Sequence, residues 1–266
     1  MLKIYNISDN GHKLPIDYTW FKFPGGEVNL KITDPMLMII NGIHIETDLI
    51  NSDEVMLLLQ AVDVFRSYDK YLDLLYTPYA RQDRQTSNTE SFSFRVFANI
   101  INSCGFKKVT VCDPHSDVTP ALINNIFVKK RLDIVSGLSD LHALLQNKNT
   151  VIVSPDAGAL KTNNEIAKHY KLPHISATKV RDTQTGEISH TRIHALVNET
   201  SGRDLIIMDD ICDGGRTFIE IAKVLQLYEA ASLSLYVTVG IFSQGIEVLQ
   251  PYFANIFYNY RRLDAV

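Results

Sequence analysis

The sequence predicts an α/β fold of two units, each a mostly parallel sheet flanked by helices. Two observations lead there. Short apolar runs of strand length alternate with longer stretches whose apolar residues recur at helical spacing, the pattern of parallel strands covered by helices on both faces. The chain has 266 residues, enough for one large or two ordinary domains. The break in the pattern falls near residues 134–148, so the expected units are residues 1–137 and 138–266.

The expected strands are KIYNI (3–7), LMII (37–40), YLDLLYT (71–77), KVTVC (108–112), TVIVS (150–154), LIIMD (205–209), LSLYVTV (233–239) and NIFYN (255–259). Each is a short apolar or alternating run bounded by polar or turn residues. Between them lie the helices. Residues 52–66 open on Ser52 as a cap with two acids in the first turn, which suits the helix dipole. Residues 89–105 carry an apolar stripe and stop at Gly105. Residues 138–147, 160–170 and 217–228 complete the set. No low-complexity tract interrupts the alternation.

Composition narrows the class. The chain is 45% hydrophobic and 21% charged, with a net charge of −4, which argues against nucleic acid or an anionic membrane as the main partner. No apolar run approaches the ~20 residues of a membrane span, and MLKIYNISDN turns polar too early for a signal peptide. Cys104, Cys112 and Cys212 show no paired spacing, so neither a disulfide framework nor a zinc site is expected. The expectation is a soluble protein of a reducing cytoplasm.

In open α/β sheets ligands bind beyond the carboxyl ends of the strands, and several polar clusters sit at such ends. In YTPYARQDRQ (76–85), Arg81 and Arg84 bracket Gln82 and Asp83. Two guanidiniums on one loop could hold a polyphosphate; a solvated charged loop is the alternative. In VCDPHSD (111–117), His115 lies among carboxylates and could meet a divalent metal or a phosphate, although a lone histidine is more often structural. In SPDAGALK (154–161), Asp156 sits on a Pro/Gly turn, where one carboxylate with water and substrate oxygens could hold Mg²⁺. A plain βα connection is the competing reading. In SATKVRDTQTGEISHTRI (176–193), Lys179 and Arg181 share one face of an extended segment, and Thr185-Gly186 suggests a hairpin tip that could close over a site. A charged surface hairpin is the alternative.

The most specific stretch is LIIMDDICDGGRTF (205–218). An apolar strand runs into Asp209, Asp210 and Asp213, then Gly214, Gly215, Arg216 and Thr217 before a helix. Glycines at a helix N-terminus form an anion site from backbone N–H groups. Carboxylates beside it would repel bare phosphate, but they suit a ligand that also carries hydroxyls or a cation. A ribose 5-phosphate has both parts: a diol for the acids and a phosphate for the glycine turn. Neither a Walker loop nor a dinucleotide fingerprint has this spacing.

This stretch resembles the phosphoribosyl-diphosphate (PRPP) loop of type I phosphoribosyltransferases. With PYARQDR, DPHS, VSPDAG and KVR upstream in that order, the chain resembles the ribose-phosphate diphosphokinases (PRPP synthetases) from FPGGE (23–27) to about residue 260. The resemblance implies two phosphoribosyltransferase-like domains and a homo-oligomer, a dimer or larger. The implied reaction is the Mg²⁺-dependent conversion of ATP and ribose 5-phosphate to PRPP and AMP, a transferase step that serves nucleotide biosynthesis. It further implies Phe23 and Glu27 at the adenine, Arg81, Gln82, Asp83 and His115 at ATP, and His115 and Asp156 at the metal. Lys179 and Arg181 would be catalytic, and Asp209, Asp210, Asp213, Gly214, Gly215, Arg216 and Thr217 would hold ribose 5-phosphate or PRPP. Two other readings share part of the pattern: a transferase that consumes PRPP, and a non-catalytic relative of the synthetases. The chain departs from the family in having Pro24-Gly25 after Phe23, Gly214 in place of a threonine, and Arg216 in place of a glycine. It also ends soon after NIFYNYRRLDAV, before the C-terminal segment usual in the family.

Overall fold

The computed structural model describes residues 2–33, 41–49, 51–181, 188–194 and 197–261. The expected strand at 37–40 and the expected hairpin tip at Thr185-Gly186 lie outside the described residues. The chain divides into two compact units, Met1–Lys129 and Lys130–Val266.

The first unit opens with β1 (Lys3–Ile7) and β2 (Lys13–Pro15), then β3 (Tyr18–Lys22), β4 (Val28–Ile32) and β5 (Ile43–Thr47). After these come α1 (Ser52–Val64), β6 (Lys70–Leu74), α2 (Ser93–Ser103), β7 (Lys108–Cys112), α3 (Val118–Leu122) and β8 (Ile126–Lys129). The sheet order is β2-β1-β5-β6-β7-β8, with β3 and β4 forming a separate hairpin. Strands β5 to β8 run parallel, and β1 is antiparallel to both neighbours. Burial alternates along the strands: in β5, Ile43 and Ile45 are buried while His44 and Glu46 are half-buried. The same holds in β6, where Leu72 and Leu74 are buried and Tyr71 and Asp73 are half-buried. Helices α1, α2 and α3 all pack on the apolar face, with Leu57, Leu58, Phe94, Phe97 and Ile101 against Ile4, Ile43, Ile45, Leu72 and Val109.

Local chemistry moves two helix starts. Asn51, not Ser52, caps α1: its side chain accepts the Glu54 amide at 3.0 Å. Helix α2 starts at Ser93, later than the expected residue 89, because Glu90 is engaged in a loop. The Glu90 carboxylate accepts from the amide and hydroxyl of Thr86, and its carbonyl accepts from Gln85.

The second unit comprises α4 (Arg131–Ser136), α5 (Ser139–Gln146), β9 (Thr150–Ser154), α6 (Leu160–Tyr170), β10 (His174–Arg181), β11 (Ile188–His194) and α7 (Val197–Thr200). It continues with β12 (Asp204–Cys212), α8 (Arg216–Gln226), β13 (Ser232–Gly240), a short 3-10 turn (Ile246–Val248) and β14 (Asn255–Arg261). The strand order is β11-β10-β9-β12-β13-β14. All pairs are parallel except the β10–β11 hairpin. Here successive strand residues are buried on both sides: all of β9 is buried, as are Leu205, Ile206, Ile207 and Met208 of β12. Helix α8 packs Phe218, Ile221, Ala222 and Leu225 on one face, against Val151, Leu205, Ile207 and Leu235. Helix α6 reaches the other, where Asn163 donates to the Met208 carbonyl at 2.8 Å. The unit begins before the expected residue 138 because α4 packs on α5 and α6, tied by Arg131 Nη1 donating to Asn163 Oδ1 at 2.8 Å.

Candidate functional site

Parallel strands β9 and β12 are neighbours, with Val153 opposite Ile207. From β9 the chain crosses to β10 on one side, whereas β12 leads to β13 on the other. Such a switch in direction opens a crevice at the carboxyl ends of the two central strands. The Asp156 turn leaves β9 at this point and the 209–217 loop leaves β12.

Asp156 is half-buried. Its Oδ1 accepts the amides of Gly158 at 2.9 Å and Ala159 at 3.3 Å, so the carboxylate shapes the entry to α6. Across the crevice, β12 does not stop at the first acid as expected. It keeps pairing with β13 through Cys212 opposite Gly240, so Asp209 and Asp210 are strand residues. The Asp210 amide donates to Asp209 Oδ1 at 2.9 Å. Burial, and then the nearby Asp210 and Asp156 carboxylates, hold Asp209 well above the usual carboxylate range, while the Arg131 guanidinium pulls the other way.

Asp213 is exposed and accepts from Ser243 Oγ at 2.7 Å. Gly215 caps α8 at φ +79°, and a Cβ there would lie 2.9 Å from Leu249 Cδ2. That conformation favours glycine, and the close approach reinforces it. Gly214 is different: an added Cβ would meet Gln244 and Ser243 at 3.5 and 3.7 Å, ordinary contact distances. Arg216 turns away from the glycines to Glu220, Nε to Oε1 at 2.8 Å. Thr217 stands half-buried in the first turn of α8, where helix amides have no intrahelical acceptor. Within the loop, burial, then Asp213 and Asp209, push the Cys212 thiol up to about 12, so it is no nucleophile.

Lys179 and Arg181 lie on β10, opposite Thr191 and Ile188 of β11, with a register shift between Val180 and Arg181. Their side chains lie outside the described residues. The remaining sequence candidates belong to the first unit. Phe23 and Glu27 meet at the β3–β4 turn, where the Phe23 amide donates to the Glu27 carbonyl at 2.8 Å. Phe23 is 48% exposed and stacks edge-on with Phe21 at 4.6 Å. Arg81 and Gln82 are exposed and Asp83 half-buried, in the turn after β6. That turn is closed by the Gln82 amide donating to the Tyr79 carbonyl at 2.8 Å, with Tyr79 at φ +62°. His115 is exposed in the loop between β7 and α3.

Sequence reasoning missed the support beneath the crevice. Arg131 is 4% exposed and Asn163 fully buried. Asn163 Nδ2 bonds both the Met208 carbonyl and Ser154 Oγ, the latter at 3.0 Å, and Ser154 Oγ also pairs with His174 Nε2 at 2.8 Å. Burial lowers the His174 pKa. One cation-anchored network therefore ties the ends of β9 and β12 just before their acids. The available signal was Asn163 on the same helical stripe as Ile166, Ala167 and Tyr170, a polar residue on a buried face.

Comparison with known proteins finds relatives in both sequence and fold. Residues 128–256 match the family model of the phosphoribosyl transferase domain. The chain is similar to the ribose-phosphate pyrophosphokinase of Mycoplasma genitalium, 31% identical over 201 residues, covering 74% of this chain and 58% of the relative. It is also similar to that of Mesorhizobium japonicum, 30% identical over 198 residues, covering 73% and 62%. It thus spans about three-fifths of the length of these curated relatives. In fold, it is similar to the crystal structure of phosphoribosylpyrophosphate synthetase from Mycobacterium smegmatis, with a TM-score of 0.69 and 20% identity over 85% of this chain and 73% of that one. Over about three-quarters of its length the chain is thus similar to ribose-phosphate pyrophosphokinases, and its residues 128–256 match a phosphoribosyl transferase domain.

Proposed function

We propose that the chain transfers the diphosphoryl group of ATP to the anomeric hydroxyl of ribose 5-phosphate, giving PRPP and AMP. One observation supports this above the rest: the Asp156 turn and the acid-to-glycine loop leave adjacent parallel strands at the switch point. In this reading Asp209, Asp210 and Asp213 accept hydrogen bonds from the sugar hydroxyls. Gly214, Gly215 and Thr217 face the 5-phosphate with backbone amides and a hydroxyl. Arg216 contributes less, being held by Glu220. Phe23 and Glu27 contact adenine, and Arg81, Gln82, Asp83 and His115 bind the triphosphate. Lys179 and Arg181 stabilise charge on the transferring group, where the sugar oxygen bonds the β-phosphorus as the bond to the AMP oxygen breaks.

The residues present fit Mg²⁺: carboxylates are the hard donors it takes, and the crowding that raises Asp209 is relieved by a cation. Asp156 would hold the ion through its carboxylate with phosphate oxygens, and His115 is a candidate for a metal or phosphate contact. When bound, it supplies charge neutralisation at the triphosphate. The reading includes assembly as a homo-oligomer, a dimer or larger, supported by the exposed Trp20, Phe21 and Phe23 on one hairpin. It also includes a cytoplasmic setting; among the described residues no helix is long and apolar enough to cross a membrane.

The test is direct. Incubation with ATP, Mg²⁺ and ribose 5-phosphate should give equal amounts of AMP and PRPP. Lys179→Ala should lower kcat on the order of 10²-fold with little change in KM. Consumption of added PRPP with a nucleobase, and no AMP formed, would instead make the chain a PRPP-using transferase.

A further inference from the structure

We propose that His44, Glu46 and Asp73 form a divalent transition-metal site on the first unit's sheet, one that takes Zn²⁺, Co²⁺ or Mn²⁺ in exchange for the Lys13 ammonium. The three ligand atoms all lie within 4.8 Å of one another. Their placement follows from strand geometry. Glu46 of β5 lies directly opposite Asp73 of β6, and His44, two residues before Glu46, shares its face.

Two carboxylates opposed across parallel strands repel unless a cation stands between them. Lys13 supplies it: Nζ lies 2.5 Å from Glu46 Oε1, 3.0 Å from His44 Nε2 and 3.5 Å from Asp73 Oδ2. The ammonium marks the point on which the three ligands converge. In a tetrahedral zinc site with bonds of about 2.0–2.2 Å, ligand atoms stand about 3.4 Å apart. His44 Nε2 and Asp73 Oδ2 are already 2.8 Å apart, so side-chain rotation alone can open the site to a metal.

The donor set selects the class of ion. One imidazole with two carboxylates suits borderline metals better than Mg²⁺, which takes oxygen donors. The frame is rigid where the ligands are and loose where the lysine is. Strands β5 and β6 are interior strands of the sheet, and the side chains of His44, Glu46 and Asp73 are 15%, 21% and 26% exposed. Lys13 is 37% exposed, on an edge strand of three residues, all exposed, and its flexible stem can swing away. The Thr110 side chain hydrogen-bonds Asp73, the kind of outer contact that orients a metal ligand. A cavity of about 350 Å³ beside the cluster, bordered by Tyr71, Lys108 and Phe127, leaves room for a water or small anion as a further ligand. None of these residues takes part in the function proposed above, so the two proposals stand or fall separately.

The experiment titrates Co²⁺ into the metal-stripped full chain carrying His115→Gln, which removes the imidazole of the metal site proposed above, in excess Mg²⁺ to occupy all-oxygen sites, and follows the visible d–d absorption. One equivalent should bind. Lys13→Met, which removes the competing charge, should bind it on the order of tenfold more tightly, and His44→Gln should abolish the signal. If His44→Gln keeps the same stoichiometry, or if Lys13→Met binds no more tightly than the parent, the assignment is wrong. Should Lys13→Met fail to fold by circular dichroism, the His44→Gln comparison with the parent decides: loss of the bound equivalent supports the site, and retention overturns it.

Discussion

The two sheets share a fold class and differ in how they are covered. In the first unit burial alternates residue by residue, and the helices α1, α2 and α3 all pack on one face. In the second, the central strands are buried on both faces. Polar chemistry follows the same division. The first unit keeps its Lys13–His44–Glu46–Asp73 cluster on the half-open face of the sheet. The second keeps Arg131, Asn163 and Ser154 beneath its strand ends. The parallel switch point with acids on both sides belongs to the second unit. A one-residue slip in the first sheet would carry its apolar residues to the half-open face, whereas between β9 and β12 the buried Asn163 side chain, bonded to the Met208 carbonyl and to Ser154, fixes the register.

If this contrast is right, truncations should expose it. Ile206 and Ile207 are adjacent, face opposite ways and are fully buried. Each change to Ala should cost about 2–5 kcal/mol in urea unfolding. In the first unit Leu72→Ala should cost the same, but its neighbour Tyr71→Ala only about 1 kcal/mol or less. Equal costs at Tyr71 and Leu72 would break the comparison.

The buried network gives the next largest effect. Asn163→Leu removes the bonds to Arg131, Ser154 and the Met208 carbonyl, and should destabilise by about 3 kcal/mol. A neutral result would mean that the network contributes nothing to holding β9 against β12.

Two adjacent glycines refine the picture at the loop. Gly215→Ala puts a side chain at φ +79° and into Leu249, and should cost about 1–3 kcal/mol. Gly214→Ser has ordinary space, and should shift the unfolding midpoint little, within about 0.5 kcal/mol. Similar losses at both would show that the loop, not the backbone conformation of one residue, sets the constraint. The smallest effect is expected at Arg216→Ala. It breaks only an exposed pair with Glu220, so stability should stay within about 0.5 kcal/mol of the parent. Isothermal titration should show ribose 5-phosphate affinity changed less than by Asp213→Asn.

Strands bounded by turn residues were legible in the sequence: β7 and β9 lie at the expected 108–112 and 150–154. The β3–β4 hairpin was not: β3 exposes Trp20 and Phe21 side by side, and although Val28 to Lys31 of β4 alternate buried and exposed, that run is only five residues long. The end of β12 was misjudged because acids usually end a strand, whereas pairing with β13 carries this one through Cys212. Short α4, at six residues under two turns long, is too brief for its apolar stripe to repeat. The order of the candidate motifs could be read directly, since each is a contiguous run after a strand. Arg131 and Asn163 could not, because they meet across 32 residues and only the packing of α4 on α6 joins them.

The β3–β4 hairpin has an optical consequence. Trp20 is the chain's one tryptophan and is 40% exposed. All indole emission therefore comes from one ribbon of the first unit, three residues before Phe23. Fluorescence selectively excited at the indole will report solvent and quenchers reaching that ribbon, and will have no local reporter in the second unit. An unfolding curve followed by this signal alone would describe half the molecule, and its departure from a circular-dichroism curve would measure how independently the two halves melt.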